Sequence, residues 1–138
     1  MKRYLKYLVM AGGLSLWLSM GGTPAWAMNR WDALSMIESG DNDAAIGRAG
    51  EVSRFQIKPL LWEKYGRPYP LSARTNPHAA LRAAAAIMTA RVGQFERHHH
   101  RSPTDFEYYV LWNAPAELGR PSRAVSARAS RFCHLLES

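Results

Sequence analysis

Residues 37–57 read "IESGDNDAAIGRAGEVSRFQI". The run opens with a carboxylate, Glu38, at the end of an apolar segment and passes through small and charged residues to Gln56. Upstream, "NRWDALSMIES" carries helix signals: Asn29 suits the cap position and Gly40 the position just past the end. Trp31, Leu34, Ser35 and Glu38 follow the i, i+3, i+4, i+7 rule and share one face. A surface helix gains nothing from a carboxylate on its apolar stripe. Two readings stand at this point: Glu38 is an exposed residue at a helix end, where boundaries drift by about one or two positions, or it faces a cleft that uses it.

Helix signals continue through the rest of the chain. "KPLLWEKYG" reads as a short helix with Pro59 in its first turn and Gly66 as its stop. "RPYPLSARTNP" is a proline-rich connection. A long helix opens at Asn76-Pro77, and Leu81, Ala84, Ala85, Met88, Val92 and Phe95 are expected to form its buried face. "HHHRS" breaks that pattern as a loop. Ser102 is the expected cap of the next helix, with Pro103 in its first turn and Asp105 at the positive end of the dipole. On that helix Phe106, Tyr109, Val110 and Asn113 share a face, and Pro115 ends it. A final helix, Ser122 to Leu136, is expected to bury Val125, Ala129, Phe132 and Leu136 and to turn Arg123, Arg128 and Arg131 outward. No repeat and no convincing strand pair is visible. The pattern predicts a mainly α domain with a short irregular or β-like excursion within Asp41 to Ile57.

The first 27 of the 138 residues have the pattern of a processing segment. Lys2, Arg3 and Lys6 form a basic start, "YLVMAGGLSLWLSMGG" is apolar, and Ala25-Trp26-Ala27 is a small-x-small cleavage pattern. The expected organisation is a signal peptide over 1–27 and one domain over 28–138, periplasmic or secreted after cleavage near Ala27. Membrane contact is then limited to the signal segment. Cleavage removes three of the 18 Lys and Arg residues and none of the 11 acidic ones, leaving a net charge of +4. Such an excess suits anionic polymers or headgroups, but the absence of a Lys/Arg block with interleaved aromatics argues against nucleic acid. Cys133 is the single cysteine, which rules out an internal disulfide. It reads as a small core residue beside Phe132. The histidines His98 to His100 are adjacent in sequence and cannot converge on one ion, so no metal is expected.

Glu38 and Asn113 both fall on faces that should be buried, where each would cost a few kcal/mol without a partner. Placing both in one groove removes the conflict, since a cleft is apolar-walled yet open to a polar ligand. A carboxyl group against an apolar wall holds its proton towards neutral pH and can act as a general acid. The intervening loop could bring Ser53, Gln56 and backbone groups around a substrate.

The run "ESGDNDAAIGRAGEVSRFQI" resembles the catalytic segment of the lysozyme-like soluble lytic transglycosylases: E-S, a small-residue loop, then G-A-x-G-L-M-Q. Glu38 and Gln56 keep that family's spacing of eighteen positions, and Gly50 falls on its first glycine. "NPHAALRAAAAIM" is similar to the family's D-P-x-x-N-I-x-x-G-x-x-Y-L helix, "LWNAP" to its A-Y-N-A-G, and "RAVSARASRF" to the helix that follows. The similarity spans most of residues 31–132. It implies a lysozyme-like α fold and cleavage of the glycan strands of peptidoglycan between N-acetylmuramic acid and N-acetylglucosamine. Glu38 would act as general acid and then base, giving a 1,6-anhydro product without a cofactor. Substrate contacts are implied for Ser39, Gly50, Glu51, Ser53, Phe55, Gln56, Tyr109, Trp112 and Asn113. Ser39 has a second reading as a tie at the helix end. A small single domain of this kind also suggests an envelope-machinery partner.

Several positions depart from the family pattern. Trp112 stands where the family has tyrosine, and an indole N–H cannot accept a hydrogen bond as a phenol does; Tyr108 and Tyr109 are the candidates to replace it. Glu51 stands for alanine, Ser53 for the second glycine, Phe55 for methionine, Gly47 for a frequent serine and Pro115 for the last glycine. Glu51, or less directly Asp41 or Asp43, would supply a second carboxylate for a hydrolytic muramidase. The plainer role of Glu51 is a loop salt bridge with Arg48 or Arg54. A third reading, in which Trp112 and the altered loop leave the domain inactive, is a lysozyme-like module that only binds glycan or a partner.

Overall fold

A computed structural model describes residues 28–138, so the expected processing segment 1–27 lies outside the described residues. Five α-helices follow in order: α1 (Arg30–Ser39), α2 (Pro59–Tyr65), α3 (Pro77–His99), α4 (Asp105–Asn113) and α5 (Arg123–Glu137). The described chain is mainly helical, and it contains no regular strand. None of these helices is long and apolar enough to cross a membrane.

The ends of the helices follow local chemistry. The Asn29 side chain accepts from the Trp31 and Asp32 amides at 2.8 and 3.0 Å, and Gly40 closes α1 at φ +64°. Asn76 caps α3 through the His78 and Ala79 amides, with Pro77 in the first turn where its missing N–H costs nothing. Ser122 caps α5 as expected. The cap of α4 differs from expectation: it is Thr104, whose side chain accepts from the Glu107 amide while Glu107 reaches back to the Thr104 amide. This reciprocal pair satisfies two open donors at once, whereas Ser102 donates to Glu96 Oε1 instead. The histidine run is also not a loop. His98 and His99 complete α3, His99 stacks on Phe95 at 4.2 Å, and His100 ends the helix at φ +54°.

The core is built where α5 packs on α4 and α1, and where α3 packs on α2 and α4. Tyr109, Val110, Phe132, Ala129 and Leu34 sit at its centre, with Leu136 half-buried at the margin. On α3 the buried face keeps Ala84, Met88 and Phe95 of the expected six and differs at the other three. Ala79, Ala80, Ala83, Ala84, Ile87, Met88 and Phe95 are buried, while Leu81 is exposed and Ala85 and Val92 only partly covered. The packed face therefore combines alanines, which permit the close approach of neighbouring helices, with Ile87, Met88 and Phe95, and it leaves Leu81 outside.

Between α1 and α2 the chain makes two β-like pairings, Ile46 with Val52 and Val52 with Ile57. Val52 and Ile57 exchange both backbone hydrogen bonds, at 2.9 and 2.8 Å. The turn they close holds Ser53 at φ +70° and Gln56 at φ +51°, both unusual for residues with a side chain. The expected β-like excursion is therefore present as two isolated bridges.

Candidate active site

The end of α1, the 47–57 loop and the start of α2 line a cleft of about 610 Å³. α3, the end of α4 and α5 also contribute to its lining. Glu38, Glu51, Gln56, Arg91, Trp112 and Asn113 are among the side chains that line it.

Glu38 is set into the cleft wall, its side chain only 6% exposed. The Tyr109 hydroxyl donates to Glu38 Oε1 at 2.6 Å, and Arg128 Nη2 lies 3.4 Å from Oε2. Arg128 also donates to the Ile37 carbonyl, so it faces α1 and not the outer side expected for it. Arg123 and Arg131 do remain exposed. The reason is the packing of α5 against α1, which periodicity along α5 alone does not contain.

Burial dominates the ionisation of Glu38 and raises its pKa above the ordinary carboxylate value. The Tyr109 hydroxyl, Arg128 and the Asn113 amide favour the anion without cancelling that effect, and the negative charge of Glu51 reinforces the upward direction. Tyr109 is itself buried beside a carboxylate, and both influences push its phenol far above its usual value. It therefore stays protonated and serves as a permanent donor.

Tyr109 lies one helical turn before Trp112. The phenol that orients Glu38 thus comes from an earlier position on α4, and the Trp112 indole lines the cleft. Tyr108, the other candidate, packs against Trp31 and Phe132 and lies under Arg30. Gln56 lines the cleft, as expected, with its amide nitrogen donating to the Ser53 carbonyl at 3.1 Å.

Besides Tyr109, which is buried behind Glu38, four of the expected substrate contacts have other roles. Ser39 donates to the Arg54 carbonyl at 2.8 Å and accepts from the Asn42 amide, which ties the loop to α1. Ser53 is buried, its hydroxyl accepting from the Phe55 amide. Phe55 is also buried, edge-on to Trp31 and Trp112. Gly50, at φ +84°, shapes the turn whose amide donates to the Gly47 carbonyl. These residues hold the loop and do not line the cleft.

The acidic residues of the loop separate cleanly. Arg54 binds Asp41 at 2.9 Å and Asp43 at 2.6 Å, which removes both from the cleft. Glu51 makes neither of the salt bridges expected for it. Its carboxylate accepts from the Ala49 amide and lines the cleft with Glu38. Gly47 is why this is possible: a β-carbon there would overlap both Glu51 and Gln56. Sequence reasoning saw the missing serine at Gly47 but not that its space is taken by the loop's own polar side chains.

Arg91 was not anticipated as a cleft residue. It sits half-buried on α3, donating through Nη1 to the Leu111 and Trp112 carbonyls at 2.8 and 2.6 Å. Its only sequence signal is a cation within the apolar repeat of a long helix.

Comparison of the chain with protein-family models, with curated proteins and with solved structures found no match.

Proposed function

We propose that this chain is an exported peptidoglycan lytic transglycosylase with a lysozyme-like helical fold, acting in the periplasm or outside the cell. The observation that carries this reading is the Glu38 carboxyl group: recessed in a cleft wall, raised in pKa by burial, and held by the Tyr109 phenol at 2.6 Å. Glu38 donates its proton to the bridging oxygen between N-acetylmuramic acid and N-acetylglucosamine. The bond from C1 to that oxygen breaks as positive charge grows at C1. The muramyl C6 hydroxyl closes on C1, its proton returns to the Glu38 carboxylate, and the product is a 1,6-anhydro end. One acid suffices because the nucleophile belongs to the substrate. Gln56 and Asn113 offer amide groups in the same cleft for the acetamido substituents of the sugars.

Digestion of purified sacculi tests this. Wild type should release anhydro-ended fragments, and Glu38→Gln should lose activity by about 10²–10⁴-fold, the usual contribution of a positioned acid. Equal release by the two proteins would defeat the reading.

A second reading rests on Glu51, which lines the cleft and has no arginine partner among the described residues. Such a carboxylate can activate water, and the product would then be a reducing end one water heavier. If this hydrolytic reading holds, Glu51→Ala abolishes reducing ends. Reducing ends that persist undiminished in the variant exclude it.

A further inference from the structure

The cleft carries more positive than negative charge, and most of the positive charge is not matched among the described residues. Of its lining side chains, Glu38 and Glu51 are acidic while Arg48, Lys58, Arg91 and Arg128 are basic. Arg128 is engaged with Glu38. Among the described residues, Arg48, Lys58 and Arg91 have no carboxylate within ion-pair distance. Arg48 and Lys58 are exposed at the cleft, one from the loop and one from the cap of α2.

Arg91 is the most constrained of the three. Nη1 alone binds the Leu111 and Trp112 carbonyls, and the guanidinium lies 6.0 Å from the Trp112 ring centre. The two carbonyls belong to the last turn of α4, whose negative dipole end offsets part of the charge. Among the described residues no hydrogen bond engages Nε or Nη2, and neither is sealed from solvent. A guanidinium in this state has a planar pair of donors suited to a carboxylate. Burial also lowers the Arg91 pKa, the sign of a cation short of compensation.

We propose that Arg91, with Arg48 and Lys58, forms a subsite for a carboxylate carried on the lactyl arm of the muramyl residue. This rests on the glycan-cleaving reading above and deepens it: the cleft selects an acidic, muramyl-containing strand over a neutral chitin-like one. The carboxylate has two possible sources, the bare lactyl group of a stripped strand or the acid groups of an attached peptide.

Binding is measured with Glu38→Gln protein, so that ligand survives. Three oligosaccharides of equal length are used: a chitooligosaccharide, a peptide-stripped muramyl strand, and a peptide-bearing strand with its carboxylates either free or amidated. The carboxylated ligands should bind about tenfold or more tightly than the neutral one, as one charge-assisted contact requires, and the gap should narrow with added salt. Tighter binding of the stripped strand identifies the lactyl group. A gain seen only with free peptide carboxylates, and erased by amidation, identifies the peptide. The Arg48→Ala/Lys58→Ala double variant, which changes only exposed side chains, and Arg91→Lys, which keeps charge but loses the planar fork, should each shrink the gap. Equal binding of all ligands overturns the subsite and leaves the glycan cleft standing. A gap undiminished in both variants also overturns it. Binding of none of the ligands removes the subsite and the glycan reading together.

Discussion

Replacing Tyr109 with phenylalanine removes one oxygen and leaves the ring in a site already filled, against Phe132 at 5.6 Å between ring centres. The lost contact is the 2.6 Å hydrogen bond to Glu38 Oε1. A hydrogen bond to an ionised acceptor contributes about 1.5–3 kcal/mol and one to a neutral acceptor about 0.5–1.5 kcal/mol. The phenol therefore favours ionised over protonated Glu38 by about 1–1.5 kcal/mol, or about tenfold in their ratio. Without it the carboxyl group holds its proton more firmly. The alkaline limb of kcat/KM, where the acid is lost, should move to higher pH. At the same time kcat should fall about 10–100-fold, because a freed carboxyl group samples unproductive orientations. Initial rates of muropeptide release across a pH series, with circular dichroism to confirm folding, give both readouts. A limb that overlays that of wild type would refute the role of Tyr109, whatever happens to kcat.

Two further outcomes follow from the same site. Because burial raises the Glu38 pKa, the folded chain keeps a proton that the unfolded chain releases once pH passes the ordinary value of 4.5, so this group's contribution to stability falls as pH rises through that window. Glu38→Gln lacks the penalty: its melting temperature should gain on that of wild type from pH 4.5 upward and run parallel to it below, and a constant difference across the range would contradict the assignment. Gly47→Ala puts a methyl group onto Glu51 Oε2 and Gln56 Oε1 and within 3.1 Å of Glu51 Cβ; the carboxylate and amide ends must swing away, so kcat/KM should drop about tenfold or more in protein that circular dichroism shows to be folded, and unaltered kinetics would show that neither residue is held in place by that glycine.

Much of the secondary structure is legible from local chemistry. Asn29, Asn76-Pro77 and Ser122 start helices, and Gly40 and Pro115 end them, because a cap or a blocked amide acts within one turn. The same logic missed Thr104, where two caps competed and the reciprocal bond with Glu107 decided. The position of Glu38 on the Trp31–Leu34 face was readable too, since 3.6-residue periodicity fixes which residues align.

What periodicity cannot supply is the partner across the gap. Tyr109 meets Glu38 from 71 positions away, and Arg128 reaches it from the last helix. Those contacts depend on how α4 and α5 are rotated against α1. On α3 the buried face takes in Ala79, Ala80, Ala83 and Ile87 as well as Met88 and Phe95 and leaves out Leu81, and Arg91 of the same helix lines the cleft. The loop carboxylates were sorted in the same way. Arg54 drew in Asp41 and Asp43 and left Glu51 facing the cleft, an outcome of folded geometry among charges that are equivalent in sequence. Sequence alone determined most of the helices and put Glu38 on the Trp31–Leu34 face; tertiary packing decided that this acid is buried and which groups surround it, because helix rotation and loop closure are settled by contacts between distant segments.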